Sequence, residues 1–137
     1  RCISPSDFGF HNTLHSGENV IFIDFEYAGW DDPAKMVADF FCQPEHPPAM
    51  NQITEFAQHV FELFDNPVLA HKRLQWLLPL TQLKWCCLLL NEFQPVAATQ
   101  RQFAYGQDDL EPYLDAQLQK SIRQFNKMEL IDHEIRA

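Results

Sequence analysis

Three polar side chains near the start of the chain have the types and the spacing that phosphoryl transfer requires. Asp7 is followed by Asn12, and Asp24 ends an apolar run, Val-Ile-Phe-Ile, that begins at residue 20. The reaction needs a carboxylate that orients the attacking hydroxyl and accepts its proton, and oxygen ligands that hold Mg²⁺ against nucleotide phosphates. One or two carboxylates commonly hold Mg²⁺ together with phosphate and water. In this pattern Asp7 supplies the base, and Asn12 and Asp24 supply metal-binding oxygens.

The elements that must position these side chains are predicted to form a β-hairpin. Residues 20–25 are β-branched and aromatic, which is typical of a buried strand, and residues 12–15 form a shorter candidate strand. Residues 16–19, Ser-Gly-Glu-Asn, have the composition of a turn. Such a hairpin would bring the loop that carries Asp7 close to Asp24.

Taken in order, these motifs resemble those of the aminoglycoside phosphotransferase and choline kinase family. The segment Asp7-Phe-Gly-Phe-His-Asn12 resembles the family's catalytic loop, and Ile23-Asp24-Phe-Glu26 resembles its metal-binding strand end. The segment Gly29-Trp-Asp-Asp32-Pro33 resembles the family's Gly-Asp-Pro-like opening of a helix. The resemblance covers roughly residues 3 to 40 of the chain.

This resemblance implies a mainly α fold with a small N-terminal β-hairpin, similar to the C-terminal lobe of a protein kinase-like fold. It implies that Asp7 is the catalytic base and that Asn12 and Asp24 bind Mg²⁺. The implied activity is ATP-dependent phosphorylation of a hydroxyl group on a small molecule. Aminoglycosides, choline and sugars all remain open as substrates, because pocket shape decides specificity.

Four further residues near these motifs are assigned more loosely. Glu26 is expected to contact substrate, to support the metal ligands from behind, or to make a structural hydrogen bond. Asp31 and Asp32 would either attract a cationic substrate or cap the following helix, and capping is favoured because Asp is a preferred N-cap residue. His11 is interpreted as a loop residue beside a metal ligand rather than as a catalytic base.

Residues 1–137 are predicted to form one domain, with the catalytic loop and hairpin in 1–30 and a helical body in 31–137. The chain has only four glycines and no Gly-rich phosphate loop, so the nucleotide-clamping lobe would lie upstream of Arg1. Without that lobe we expect the chain to be inactive. Pro5 and Ser6 depart from the family's His and Gly before the base, which keeps a non-catalytic kinase-like binding or scaffolding domain open. A plain helical interaction domain is a third alternative.

Apolar spacing and proline positions predict the helical body. Helices are expected over residues 33–41, 49–64 and 67–77, with another opened by Pro79 and reaching about residue 92. The segment 103–108 should separate these from a last helix. Core packing is expected for that helix's apolar stripe and for the tryptophans: Leu110, Leu114, Leu118, Ile122, Phe125, Met128, Trp30, Trp76 and Trp85.

Composition limits the partners and the compartment. The formal net charge is -9, which argues against nucleic acid and would suit a cationic small molecule. No apolar run reaches the length of a membrane span. The four cysteines contain no C-x-x-C pair, so a reduced, cytoplasmic protein is expected. Self-association is a further hypothesis, because a missing lobe would leave apolar surface uncovered.

Overall fold

Residues that favour strands concentrate at the start of the chain, and residues that favour helices follow. The structure has its described strands before residue 32 and its α-helices after it. It is a computed structural model that describes the backbone of residues 1–97 and 110–136, and side chains through residue 128. The strands are β1 (Cys2–Ser4), β2 (Thr13–Ser16), β3 (Asn19–Phe22) and β4 (Gly29–Asp31). The helices are α1 (Pro33–Cys42), α2 (Ile53–Phe61), α3 (Pro67–Leu90) and α4 (Leu110–Arg136). The break predicted at 103–108 lies outside the described residues.

The protein is therefore mainly helical with a small N-terminal hairpin region, as predicted. β2 and β3 pair antiparallel with Thr13 opposite Phe22, and two residues join them. The first of these, Gly17, has a φ of 63°, the positive value that a type II′ hairpin turn requires at that position. β3 ends at Phe22, earlier than predicted, and Asp24 then takes a left-handed φ of 62° that a strand cannot continue.

The predicted burial of residues 20–25 was wrong. Val20 and Ile21 are 51% and 50% exposed, and only Phe22 in β3 is half-buried. The reason is architectural: β2 and β3 form a two-stranded sheet, and two strands do not cover their own faces. The core lies instead among the helices, with α1 packed against α3 and α2.

The start of α1 is confirmed. Asp32 has extended backbone angles and accepts a 2.9 Å hydrogen bond from the amide of Ala34, while Pro33 occupies the first helical position. Both features are favoured at helix N-termini, because the cap satisfies a free amide and proline has none to lose. Asp32 therefore caps the helix, which was the favoured interpretation.

The predicted helix break before Pro79 was wrong, since α3 runs without interruption through that residue. An interior proline removes one backbone hydrogen bond and costs about 3 kcal/mol. Packing of the helix offsets this cost, because Leu78 next to the proline is fully buried and α3 packs against both α1 and α4.

The predicted apolar stripe of α4 was also wrong in part. Leu118, Ile122 and Phe125 are exposed, with Phe125 at 58%, whereas Ser121 and Gln124 are buried. These two polar side chains are buried because they are hydrogen-bonded: the Ser121 hydroxyl donates to the Cys86 carbonyl at 3.3 Å, and Gln124 donates to another carbonyl. The buried face of this helix therefore carries the hydrogen-bonded Ser121 and Gln124 instead of the predicted apolar stripe.

The prediction that the tryptophans lie in the core was also wrong for two of the three. Trp30 and Trp76 are 74% and 75% exposed, and only Trp85 packs against the core. Within the described residues, no helix has both the length and the apolar character needed to cross a membrane.

Candidate active site

The loop between β1 and β2 carries the predicted base, and a strained residue leads into it. Ser6 has a φ of 71°, the left-handed region that glycine adopts freely and other residues rarely do. Its amide donates a 3.1 Å hydrogen bond to the hydroxyl of Ser4, which is buried. Backbone strain of this kind is held in place by its surroundings and clusters at functional sites.

The carboxylate of Asp7 is held through one of its two oxygens. The Nδ2 of Asn12 lies 3.4 Å from Oδ2 and donates a shorter bond of 3.0 Å to the backbone carbonyl of Asp7. The Nε2 of His11 lies 3.1 Å from the same Oδ2. No described residue hydrogen-bonds to Oδ1, and the Asp7 side chain is 47% exposed. The geometry therefore anchors one oxygen and leaves the other open to a ligand.

The amide of Asn12 has a defined orientation. A backbone carbonyl can only accept a hydrogen bond, so the atom that faces Asp7 must be the amide nitrogen. The amide oxygen then points elsewhere and makes no hydrogen bond with the part of the chain that is described. Asn12 ends a 3₁₀ turn that begins at Phe10, and β2 follows it directly. The loop thus offers one amide oxygen beside the anchored carboxylate.

Asp24 lies in the loop between β3 and β4, next to Ile23, which is hydrogen-bonded to the loop that carries Asp7. The amide of Ile23 donates a 2.9 Å hydrogen bond to the backbone carbonyl of Asn12. Asp24 follows in its left-handed conformation, exposed, and its carboxylate makes no hydrogen bond or ion pair with any described residue. The structure therefore brings Asp7 and Asn12 into direct contact and places Asp24 one residue from a bond to Asn12.

A second strand pair, which was not predicted, closes the other side of these loops. β1 precedes the loop of Asp7 and β4 follows the loop of Asp24, and the two strands pair antiparallel with Ser4 opposite Gly29. The loops are therefore held between two ladders, β1 with β4 and β2 with β3. The sequence did not predict this pairing because each strand has only three residues, Cys2-Ile3-Ser4 and Gly29-Trp30-Asp31.

Three of the looser candidates, Glu26, Asp31 and Asp32, are not brought into the Asp7–Asn12 contact. Glu26 is exposed in a turn that the hydrogen bond from Ala28 to Phe25 closes, and it has no partner among the described residues. Asp31 accepts a 2.7 Å bond from Lys35, and Asp32 pairs with Arg73 besides capping α1. They line a cleft of about 940 Å³, and these pairings offset their negative charge there.

His11 makes the contact that the sequence analysis did not expect. Its ring is 19% exposed and lies against Gly9, where a Cβ would come 2.5 Å from Nδ1 and 2.7 Å from Cε1. Such distances are too short for any other residue, so glycine is needed for the ring to occupy this place. In the sequence, this contact could have been predicted only from the four-residue spacing of Asp7 and His11, with Gly9 between them.

Asn12 and Asp24 each present an oxygen of the type that hard cations prefer. Across residues 1–97 and 110–128, no three His, Cys, Asp or Glu side chains form a metal-binding cluster. The Asn12 amide oxygen and the Asp24 carboxylate are two oxygen donors without protein partners there. In proteins, one or two oxygens of this kind commonly bind Mg²⁺ together with phosphates and water.

Comparison of the chain with protein-family models, with curated proteins and with solved structures finds no match.

Proposed function

We propose that this chain carries the catalytic loop of an ATP-dependent phosphotransferase that phosphorylates a hydroxyl group of a small molecule. The observation that carries the proposal is the state of Asp7, whose Oδ2 is anchored while Oδ1 is open. The strained Ser6 before it and the strained Asp24 after the hairpin add support.

In this proposal Asp7 is the general base. Its free Oδ1 accepts a hydrogen bond from the substrate hydroxyl and orients the hydroxyl oxygen toward the γ-phosphorus. As the new P–O bond forms, Oδ1 takes up the hydroxyl proton, while the bond from the γ-phosphorus to the β–γ bridging oxygen breaks and ADP leaves. A base must lie within hydrogen-bond reach of the proton that it removes, and an anchored carboxylate keeps that distance short. The partial exposure of Asp7 gives a substrate access to the oxygen.

Asn12 and Asp24 are the residues that would hold Mg²⁺. When bound, the ion would neutralise charge on the nucleotide phosphates. The chain's own contribution is orientation: the bond from Asn12 to the Asp7 carbonyl fixes which amide atom faces outward. The bond between Ile23 and Asn12 keeps the two loops in register.

The nucleotide phosphates would be held by a lobe upstream of Arg1. Gly-rich backbone and a lysine usually cradle these phosphates, and the four glycines of this chain form no such loop. Residues 1–137 alone are therefore expected to show no phosphate transfer, and measurable transfer by them would contradict this part of the proposal.

The test measures ADP release by the full chain, including any residues before Arg1, with ATP, Mg²⁺ and a panel of small hydroxylated molecules. Asp7→Ala should lower turnover by about 10²–10⁴-fold, the usual contribution of a general base. Glu18→Gln, in the exposed hairpin turn, is the matched control and should leave turnover unchanged. Wild-type turnover in Asp7→Ala would end the assignment of the base.

A second candidate is a kinase-like domain that binds without catalysing. Pro5 motivates it, because the family that the loop resembles carries a supporting His there. Titration of ATP into the full chain with and without Mg²⁺ separates the two candidates. Tight binding that requires Mg²⁺ favours the enzyme, and the absence of nucleotide binding favours the binding module.

A further inference from the structure

We infer that His11 is the positioning residue for Asp7, a role that rests on the proposed function of Asp7 as base. The sequence pattern offers no His before the base, because Pro5 stands there. The structure instead has an imidazole approaching the carboxylate from four residues after it, with Nε2 at 3.1 Å from Oδ2.

Hydrogen-bond chemistry determines which atom of this contact carries the hydrogen. An ionised carboxylate only accepts hydrogen bonds, so the Nε2 of His11 must carry the hydrogen that is shared with Asp7. The other ring nitrogen, Nδ1, is buried and has no hydrogen-bond partner among the described residues. Between the two tautomers, the one with hydrogen on Nε2 is favoured, because a hydrogen on Nδ1 would be buried without an acceptor and would leave Nε2 with none to share with Asp7.

The distances show why Asp7 would depend on this ring. The contact from Asn12 Nδ2 to Oδ2 is 3.4 Å, beyond the usual 2.7–3.2 Å of a good N–H···O bond, and its stronger bond goes to the backbone carbonyl. His11 therefore makes the better contact to the carboxylate itself. Without it only the longer contact from Asn12 would restrain the Asp7 side chain, and the direction of Oδ1 would be less well fixed.

The local sequence holds the ring in place. Gly9 has no side chain at the point where a Cβ would lie 2.5 Å from the ring, so the imidazole can approach the backbone closely. The backbone of Gly9 is extended, with a φ of -177°, which any residue can adopt. The requirement for glycine here is therefore steric, and it serves the position of His11.

The kinetic test compares replacements of His11 in the full chain, with Mg²⁺-dependent ADP release as the readout. His11→Ala should lower kcat on the order of 10- to 100-fold, as loss of an orienting partner does, with KM for ATP unchanged. His11→Gln should recover much of the loss, because its amide nitrogen reaches about as far as Nε2. His11→Asn is shorter and should not recover it. His15→Ala, an exposed residue of β2, is the matched control and should match wild type.

A spectroscopic test decides the inference without any substrate. In the wild-type chain, NMR should show an imidazole Nε2–H proton of His11 that is protected from solvent exchange. Asp7→Ala should abolish it, while protection of the Ile23 amide shows that the hairpin remains folded. Asp7→Asn should keep it, because an amide oxygen also accepts.

The outcomes separate the two ideas. If Asp7→Ala is inactive while His11→Ala turns over like wild type, the positioning role is overturned and the proposed function stands. If no substrate is phosphorylated, the proposed function fails, and the proton resonance alone decides whether His11 holds Asp7. A wild-type spectrum without a protected Nε2–H would overturn the inference whatever the activity.

Discussion

The side chain of Gln124 in α4 donates a 2.7 Å hydrogen bond to the backbone carbonyl of Cys42, the last residue of α1. That carbonyl lies at a helix C-terminus, where no intrahelical donor follows, so a side chain from another helix satisfies it. Gln82 of α3 donates in turn to the side-chain oxygen of Gln124 at 2.9 Å. This buried polar network joins three helices.

Replacing Gln124 by leucine should therefore destabilise the protein by about 1–3 kcal/mol, the cost of leaving buried polar groups unsatisfied. Urea unfolding measures the change. Gln119→Leu, on the exposed side of the same helix, is the control and should change stability little. Equal stability of the two variants would mean that the network contributes nothing.

Asp39 is the second buried polar group whose loss should be costly. Its carboxylate is 4% exposed and pairs with Lys84 and with Lys35, the latter at 3.1 Å. Removing one partner of a buried ion pair typically costs about 3–5 kcal/mol, because the remaining charge stays uncompensated. Asp39→Ala leaves two lysines that are 38% and 44% exposed, and Lys35 keeps its pair with Asp31, so we expect a loss below that range, about 1–3 kcal/mol. Asp115→Ala, exposed on α4, should be near neutral by the same thermal or urea assay.

Gly9→Ala should lower phosphate transfer by displacing His11, since a Cβ would overlap the ring. The matched measurement is a double-mutant cycle on kcat. If Gly9 acts through the ring, Gly9→Ala should have little effect when His11 is already alanine. Additive losses in the double variant would show that the glycine acts by another route.

Alkaline pH should destabilise the fold, and Cys42 and Lys35 both act in that direction. Burial raises the pKa of the Cys42 thiol from 9.0 to about 12, with the nearby charge of Asp39 adding to the shift. Burial by itself lowers the pKa of Lys35, but its hydrogen bond to Asp31 and the charge of Asp39 outweigh this and the net pKa lies above 10.5. In both cases the folded state keeps a proton that the unfolded state has released.

The free energy of unfolding should therefore fall as pH rises from about 9, where unfolded Cys42 ionises, toward about 12. The contribution of Lys35 is complete below about 10.5 and is lost as pH rises through its folded pKa. Urea unfolding at several pH values tests this. Cys42→Ala should flatten the pH dependence, whereas Cys87→Ala, at an exposed position, should keep the wild-type slope.

Self-association remains a prediction, and the hairpin is where it should occur. Val20 and Ile21 of β3 are about half exposed, and apolar patches of this kind favour contact with a partner. Sedimentation velocity of residues 1–137 should show concentration-dependent association. A Val20→Lys, Ile21→Lys double variant should weaken it, and a clean wild-type monomer at high concentration would count against the idea.

Local rules in the sequence were sufficient for several elements. Asp32 followed by Pro33 predicted the start of α1, because capping and a fixed φ depend only on neighbouring residues. The Ser-Gly-Glu-Asn segment predicted the hairpin turn for the same reason. The order of Asp7, Asn12 and Asp24 also identified which side chains to examine, since motif spacing is a property of the chain alone.

Contacts between distant segments decided what the sequence could not. Pro79 stays within α3 because that helix packs against both α1 and α4. The buried face of α4 follows hydrogen bonds to α1 and α3 rather than apolar spacing. The pairing of β1 with β4 and the approach of His11 to Asp7 also required coordinates, because a three-residue strand and a ring orientation leave almost no pattern. Residue types and spacing thus determined the candidate chemistry of this protein, and tertiary packing decided which oxygen of Asp7 is held and which is free.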